Sequence, residues 1–350
     1  MRRPDDVTSD LDVSDDDAEA TANEVSTLVG DMLRDVDCAE EAWRRLASGG
    51  LTGVAVQEQI GGSGGSLREA AAVLEAVAAH GLDLPLLEFT WLASRVAEWT
   101  GRRAPDEPVA FAIAERTTDG QDGQPPYRAT LRWYHETTAA HVLLPADGAL
   151  LVLERPAGLR DGSPSTVHID PQRVRAAAET HPVPDAGTLA AELQMRAALG
   201  RSIQISGAAA QVRDLSVRYA AERVQFGRPL SRYQVIQHYL ARIAAEAHAV
   251  QVASRGALDA WIAAPSTAGG SVSNAKAVAS HAVELCTRLA HQVFGAIGTT
   301  REHELHRYTT AMWAWREDAG NEYQHGAQVG EAALTAEDPW AWLVDQGGRR

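Results

Sequence analysis

The chain has 350 residues, 45% of them hydrophobic and 23% charged, with a formal net charge of −15. That length and apolar content allow a large core in two or three packed units without disulfides or metal staples, which excludes wholesale disorder. The acidic balance argues against nucleic acid or an anionic membrane as partner, because both are bound by clustered Lys and Arg.

The charge is uneven. Nine acidic residues lie between Met1 and Glu24 against two arginines, and they include the run Asp15-Asp16-Asp17. Residues 1–22 therefore read as a disordered, solvated acidic tail. Lys276 is the one lysine among 32 basic residues, a bias that together with abundant Ala and Gly points to a GC-rich bacterial genome. Cys38 and Cys286 are too few and too far apart for a disulfide framework or a metal site, so no metal is expected. Met1-Arg2-Arg3 leads into aspartates, and no window of about eighteen apolar residues occurs, so a soluble cytoplasmic chain is expected.

In chain order, Val25, Leu28, Val29, Met32 and Leu33 recur at helical spacing, as do Leu67, Ala70, Val73, Leu74 and Val77. Between them lies the loop Gly61-Gly62-Ser63-Gly64-Gly65, and Ser66 is placed to cap the next helix. Residues 23–104 thus read as an N-terminal helical domain. Short apolar runs at Val109–Ile113, Tyr127–Trp133, Val142–Leu144 and Leu150–Leu153 then predict a small antiparallel β unit. The stretch Arg155–Gly187 has the Pro and Gly content of a linker, which closes a unit spanning 105–187. From Thr188 the stripes Ile236, Tyr239, Leu240, Ile243, Ala247, Val250 and Val278, Ala282, Leu285, Leu289, Val293 predict a four-helix bundle over 188–335, followed by a tail at 336–350.

One segment carries chemistry, Arg218-Tyr219-Ala220-Ala221-Glu222-Arg223-Val224-Gln225-Phe226-Gly227-Arg228-Pro229-Leu230, with Gln234 after it. A helix ends near Gly227, since Pro229 forbids its continuation. An arginine, an amide and an aromatic ring at such a terminus suit a phosphate and a flat ring system; a plain helix-ending turn with a surface arginine is the bland alternative. The string resembles the R-x-Q-F-G-x-P-L signature of the acyl-CoA dehydrogenase family. Gln292-Val293-Phe294-Gly295-Ala296-Ile297-Gly298, preceded by Lys276, is similar to a second motif of that family. Gly50-Leu51-Thr52-Gly53-Val54 through Gly64 is similar to a third, with Gln57 in place of its proline and Glu58 kept. The resemblance covers residues 25 to 335.

It implies a mostly α fold with a helical N-terminal domain, a reduced antiparallel β domain and a C-terminal four-helix bundle. It also implies FAD at a subunit interface. By match to the motifs, Arg223, Gln225, Phe226 and Gln234 would reach the pyrophosphate and adenosine part of a flavin held mainly by a neighbouring chain, joined by Gln292 and Gly295. The family's flavin-cradling β loop corresponds here to Ala114-Glu115-Arg116-Thr117-Thr118-Asp119-Gly120, where only Glu115 matches. The chain resembles the trimmed members of actinobacterial steroid side-chain degradation, as do Arg307-Tyr308 and Trp313-Ala314-Trp315-Arg316. Such members pair with a fuller acyl-CoA dehydrogenase-like chain as heterotetramers.

The family's reaction needs a carboxylate that takes the α-proton of an acyl-CoA thioester while the flavin takes a hydride, and a separate flavoprotein then accepts the electrons. Its two base positions fall on Ala319 and Ala197. Asp318 and Glu317 lie beside the first and stand as candidate bases; the alternative is that Arg316-Glu317-Asp318 forms a solvated charged turn. Glu192 and Arg196 read as a surface helix pair, and Trp313, Trp315, Trp340 and Trp342 as packing or interface. Two functions of different class remain open. One is acyl-CoA dehydrogenation, either as a heteromeric subunit or as a homodimer using Glu317 or Asp318. The other is a flavin-free scaffold.

Overall fold

The computed structural model describes residues 15–116, 127–134, 136–156 and 164–342. Helix α1 spans Asp15–Leu33 and buries Val29 and Leu33, so the acidic run that reads as tail instead opens a helix. Negative charge is favoured at a helix N-terminus, which allows it. Helix α2 follows at Ala39–Ser48 and α3 at Leu67–Ala79. Ser66 caps α3 as expected: its Oγ accepts from the Glu69 backbone N–H at 3.2 Å, and Glu69 returns the bond to Ser66, forming a capping box. Leu87–Ala93 then form a π-helical stretch that runs into α4, Ser94–Thr100.

The β unit comprises β1 Val109–Ile113, β2 Glu115–Arg116, β3 Tyr127–Arg132, β4 Ala139–Leu144, β5 Ala149–Glu154 and β6 Pro164–Ile169. They form two three-stranded sheets, β1-β4-β5 and β2-β3-β6. Pairing is antiparallel except between β1 and β4, which run parallel with Val109 opposite Ala139. The chain leaves β1 for the second sheet and returns to the first in the original direction, a crossover that demands a parallel pair. The stretch that reads as linker also carries structure, namely β6 and helix α5, Pro171–Thr180. Asp170 caps α5, and Pro171 occupies its first position, where a missing N–H costs nothing.

The C-terminal part consists of α6 Ala186–Glu222, the hairpin β7 Val224–Gln225 and β8 Arg228–Pro229, then α7 Gln234–Ala263, α8 Gly269–Phe294, α9 Leu305–Glu317 and α10 Glu322–Thr335. Helices α6, α7 and α8 pack together through Ile205, Val212, Ile243, Val250, Val283 and Leu289; α9 closes on α6 and α8 with Met312 and Trp315, and α10 lies on α8. The middle of α6 is buried all round, from Ala198 to Ala209, because α3 covers the face the bundle leaves open. Among the described residues no helix is long and apolar enough to cross a membrane.

Candidate active site

A cavity of about 780 Å³ lies where the π-helical stretch, β1, β3, the start of α6 and the α9–α10 turn converge. Leu92, Phe111, Ile113, Leu193 and Met195 make its apolar walls, and Ala197 and Ala319 both face into them. Helix α6 approaches the π-helical stretch closely because residue 200 is glycine: a Cβ there would stand 2.4 Å from Leu87 Cδ1.

That approach sets Arg201, 1% exposed, beside Glu88. The Arg201 guanidinium donates from Nε to Asp318 Oδ2 at 2.7 Å and from one terminal nitrogen to Gln204 Oε1 at 2.6 Å; the other terminal nitrogen pairs with Glu88 Oε1 and Asp318 Oδ2. Tyr134 Oη donates to Glu88 Oε1 at 2.7 Å. Next to this group Arg132 pairs with Asp83, which also accepts from Trp315 Nε1 at 3.1 Å. A buried cation is tolerated only when paired, and here carboxylates surround both arginines. Two atoms stay unpartnered, Glu88 Oε2 and Arg132 Nε.

Asp318 is walled in by protein, yet 45% of its side chain is open where it borders the cavity. Burial alone would raise its pKa; the adjacent Arg201 charge outweighs that and holds the carboxyl below the usual carboxylate range. The charged turn is therefore not simply solvated. Arg316, mostly buried itself, pairs with the exposed Glu317 and the mostly buried Glu322, while Asp318 pairs with Arg201. Glu317 borders the cavity at its outer side and accepts from Asn321 Nδ2 at 3.1 Å.

Ala319 and Gly320 are left-handed, at φ 57° and 89°, and their carbonyls are tied from behind. Lys276, fully buried, donates to Arg316 O at 2.8 Å, to Ser280 Oγ at 3.0 Å and to Gly320 O. His325 Nε2 donates to Ala319 O at 2.8 Å. Burial pushes the Lys276 ammonium down to about 7, against the pull of Asp318.

A second group of residues gathers at the far end of the bundle. Arg223 caps α6, and Phe226 and Gly227 make the two-residue turn between β7 and β8, at φ 52° and 82°. Phe226 is 91% exposed, and its loop is fastened by Tyr233 Oη, which donates to Gln225 O at 3.0 Å. Gln234 opens α7. Tyr219 stacks on Phe294 with ring centroids 4.3 Å apart, which brings Gln292 and Gly295 at the end of α8 to the same end of the molecule. Arg223, Gln234 and Gln292 are exposed, and the Arg223 side chain has no partner among the described residues. From Ala197 to Arg223 helix α6 rises about 39 Å, at ~1.5 Å per residue.

Comparison with known proteins matches this layout. The family description "Acyl-CoA dehydrogenase, N-terminal domain" fits residues 13–100, and "Acyl-CoA dehydrogenase, C-terminal domain" fits residues 188–334. Acyl-CoA dehydrogenase IpdE2 of Mycolicibacterium smegmatis is 30% identical over 273 residues, 76% of this chain and 79% of that protein. Acyl-CoA dehydrogenase FadE34 of Mycobacterium tuberculosis is 30% identical over 293 residues, 77% of this chain; the matched region spans only 39% of that relative. Among solved structures, the ChsE4-ChsE5 complex from Mycobacterium tuberculosis superposes with a TM-score of 0.68 at 20% identity, covering 93% of this chain and 100% of that one. The chain belongs to the acyl-CoA dehydrogenase family.

Within this family member, both alanines at the expected base positions border one cavity, with Asp318 and Glu317 beside the second. The residues matched to the flavin motifs gather at the other end. Glu192 and Arg196 are not a plain surface pair: Arg95 Nε also donates to Glu192 at 2.8 Å, and Arg196 lies over the Trp261 ring, so the cluster joins α4, α6 and α7. Of the terminal tryptophans, Trp315 is fully buried whereas Trp313 and Trp340 are exposed. Glu115 pairs with Arg128 at the cavity rim, and residues 117–120 of the cradle loop lie outside the described residues. Sequence reasoning missed Glu88, Arg132, Tyr134 and Arg201. The available signal was a lone charge inside an apolar run, as in Leu86-Leu87-Glu88-Phe89 and Leu199-Gly200-Arg201-Ser202-Ile203.

Proposed function

We propose that the chain is a subunit of an FAD-dependent acyl-CoA dehydrogenase, which introduces an α,β double bond into an acyl thioester. In this reading its bundle end completes a flavin site held mainly by a second, related chain. The separation along α6 carries the proposal: a group about 39 Å from the cavity cannot serve the cavity of its own chain.

The residues at the bundle end fit part of a dinucleotide. Arg223 is unpaired and can meet a pyrophosphate, Phe226 presents a bare ring for stacking, and Gln225, Gln234 and Gln292 offer amides. Gly295 leaves the backbone open, with nothing within 4 Å of an added Cβ. FAD, when bound, supplies the acceptor for the β-hydride, and a separate flavoprotein would carry the electrons onward. A flavin-free scaffold would have no use for this set of exposed groups.

The cavity supports the assisting role. Neither Ala197 nor Ala319 can take a proton, and Arg201 keeps Asp318 a weakly basic anion. A second reading rests on one observation. Asp318 Oδ2 is engaged by Arg201, but nearly half of the side chain is open beside Ala319, so a self-sufficient dimer would use Asp318, or Glu317 at the rim, as base.

The visible absorption spectrum, taken together with the molecular mass, tests these readings. A colourless chain that acquires stoichiometric FAD on co-expression with a related dehydrogenase chain supports the first. A yellow homodimer supports the second. Absence of flavin in every assembly refutes both.

A further inference from the structure

The turn between α9 and α10 supplies one side of the cavity, which Glu317, Asp318, Ala319 and Gly320 all border. Two of these four are left-handed, and for Ala319, which carries a Cβ, that conformation persists only where the surroundings hold it. The hold comes from Lys276 on α8, which is fully buried and does not itself line the cavity. Its Nζ donates to Arg316 O at 2.8 Å, to Gly320 O, and to Ser280 Oγ at 3.0 Å. Arg316 O precedes the four residues and Gly320 O ends them, so one nitrogen grips the turn at both ends. An ammonium has three donors and no lone pair, and here it meets three acceptors. Arg316 O also belongs to the last turn of α9, where a cation is favoured. A planar guanidinium fork would not direct three donors onto oxygens converging on one point. Lys276 is the one lysine among 32 basic residues, in a chain that otherwise uses arginine.

We propose that Lys276 is a positioning residue of this cavity: its ammonium fastens both ends of the α9–α10 turn, setting the Asp318-Ala319-Gly320 edge against which an acyl thioester binds. The proposal rests on the reading of the cavity as an acyl-thioester pocket and adds a proton-dependent hold on one of its sides. The charged and titratable groups around Lys276 are Arg201 on α6, Glu317 and Asp318 in the turn, and Glu322 and His325 on α10. Burial draws the ammonium down to about 7, with Asp318 opposing it, so its proton leaves near neutral pH. The neutral amine keeps two donors, and one of the three oxygens then loses its bond. His325, whose Nε2 holds Ala319 O at 2.8 Å, is kept below its ordinary range by burial and so stays neutral through this change. The loss is local to the turn, because α8 remains packed through Ala279, Ala282, Val283 and Leu289. Ligand affinity therefore falls as pH rises through the titration of Lys276.

The test is titration calorimetry on the assembled protein with cyclohexanecarboxyl-CoA at pH 6.5 and pH 9, for the wild type and Lys276→Met. Other titrating groups, those of the probe included, are common to both proteins, so the variant's pH ratio is the reference. The wild-type affinity ratio between the two pH values is expected to exceed that of Lys276→Met by at least about fivefold. Hydrogen exchange across residues 314–325 of Lys276→Met is expected to quicken at least about tenfold, with α3 unchanged. Equal pH ratios in the two proteins would show that Lys276 only fills space and would overturn the proposal, with the acyl-thioester reading intact. Exchange quickened throughout the chain would overturn it likewise. Failure of the wild type to bind the probe at either pH would overturn the acyl-thioester reading and the proposal with it. Where Lys276→Met does not assemble, Lys276→Gln, polar and of similar length, takes its place in the same comparison.

Discussion

Arg201 and Asp318 stand 117 residues apart in sequence and 2.7 Å apart in space, Nε to Oδ2, across the wall of the cavity. The pair ties the turn after α9 to α6, and through Glu88 to the N-terminal helices. Asp318 has its pKa lowered in the fold, so its stabilising contribution is complete above the unfolded value of about 4 and is lost as pH falls through the native value. Asp318→Asn is expected to lower stability by about 2 kcal/mol at neutral pH, with the gap narrowing below about pH 4. Urea unfolding of both proteins at neutral and acid pH measures this; a gap constant with pH would contradict it.

The same substitution separates the two functional readings. If Asp318 is the base, Asp318→Asn should slow reduction of bound flavin by substrate at least about a hundredfold, and Glu317→Gln supplies the parallel test at the rim. Stopped-flow absorbance of the assembled enzyme reads both. Unaltered reduction in both variants removes this turn from the chemistry.

Lys276 gives a pH effect of the same sign in a more alkaline window. Its pKa falls from the ordinary lysine range to about 7 on folding, so between about pH 7 and 10 the unfolded chain binds more protons. That group alone makes stability rise with pH across the window, by up to about 1.4 kcal/mol per pH unit. Lys276→Met should remove that slope, so the wild-type advantage over the variant grows from pH 7 to pH 9. Parallel denaturation curves at the two pH values would refute it.

Arg223 is exposed and unpaired, so Arg223→Ala should leave thermal stability within about 0.5 kcal/mol of wild type. Flavin retained by the assembled complex should fall at least about tenfold. Unchanged flavin content would break the link between this cluster and the cofactor.

Gly207 lets α6 lie against α3: a Cβ at that position would stand 2.2 Å from the Glu75 carbonyl oxygen. Gly207→Ala should cost about 1–3 kcal/mol through overpacking, despite the better helix propensity of alanine, with the denaturation midpoint as readout. A stabilised variant would show that the two helices can part without loss.

The helical stripes and most strand positions were legible because period 3.6 and period 2 are local properties. Ser66 declared itself as a cap for the same reason. The parallel β1–β4 pair was not legible, since it depends on where the chain travels between the two strands. Pro171 read as a linker residue because its role depends on opening a helix that Asp170 caps. Asp318 could be picked out as a candidate base beside Ala319, with a solvated charged turn as the alternative, but its tie to Arg201 could not, because that partner lies on another helix. The flavin-motif residues could be picked out as strings, but their distance from the cavity becomes visible only when α6 is known to run unbroken.

The charged wall also sets an order of events during folding. Its members come from residues 88, 134, 201 and 318, with Glu88 and Arg201 separated by 113 positions. Closing such long loops is entropically costly, and the buried charges reward it only when all partners arrive. The helical N-terminal part, the β unit and the bundle must therefore dock before the pocket exists. Ligand competence is the last property the chain acquires on refolding, and the first it loses when any one of the three parts comes away.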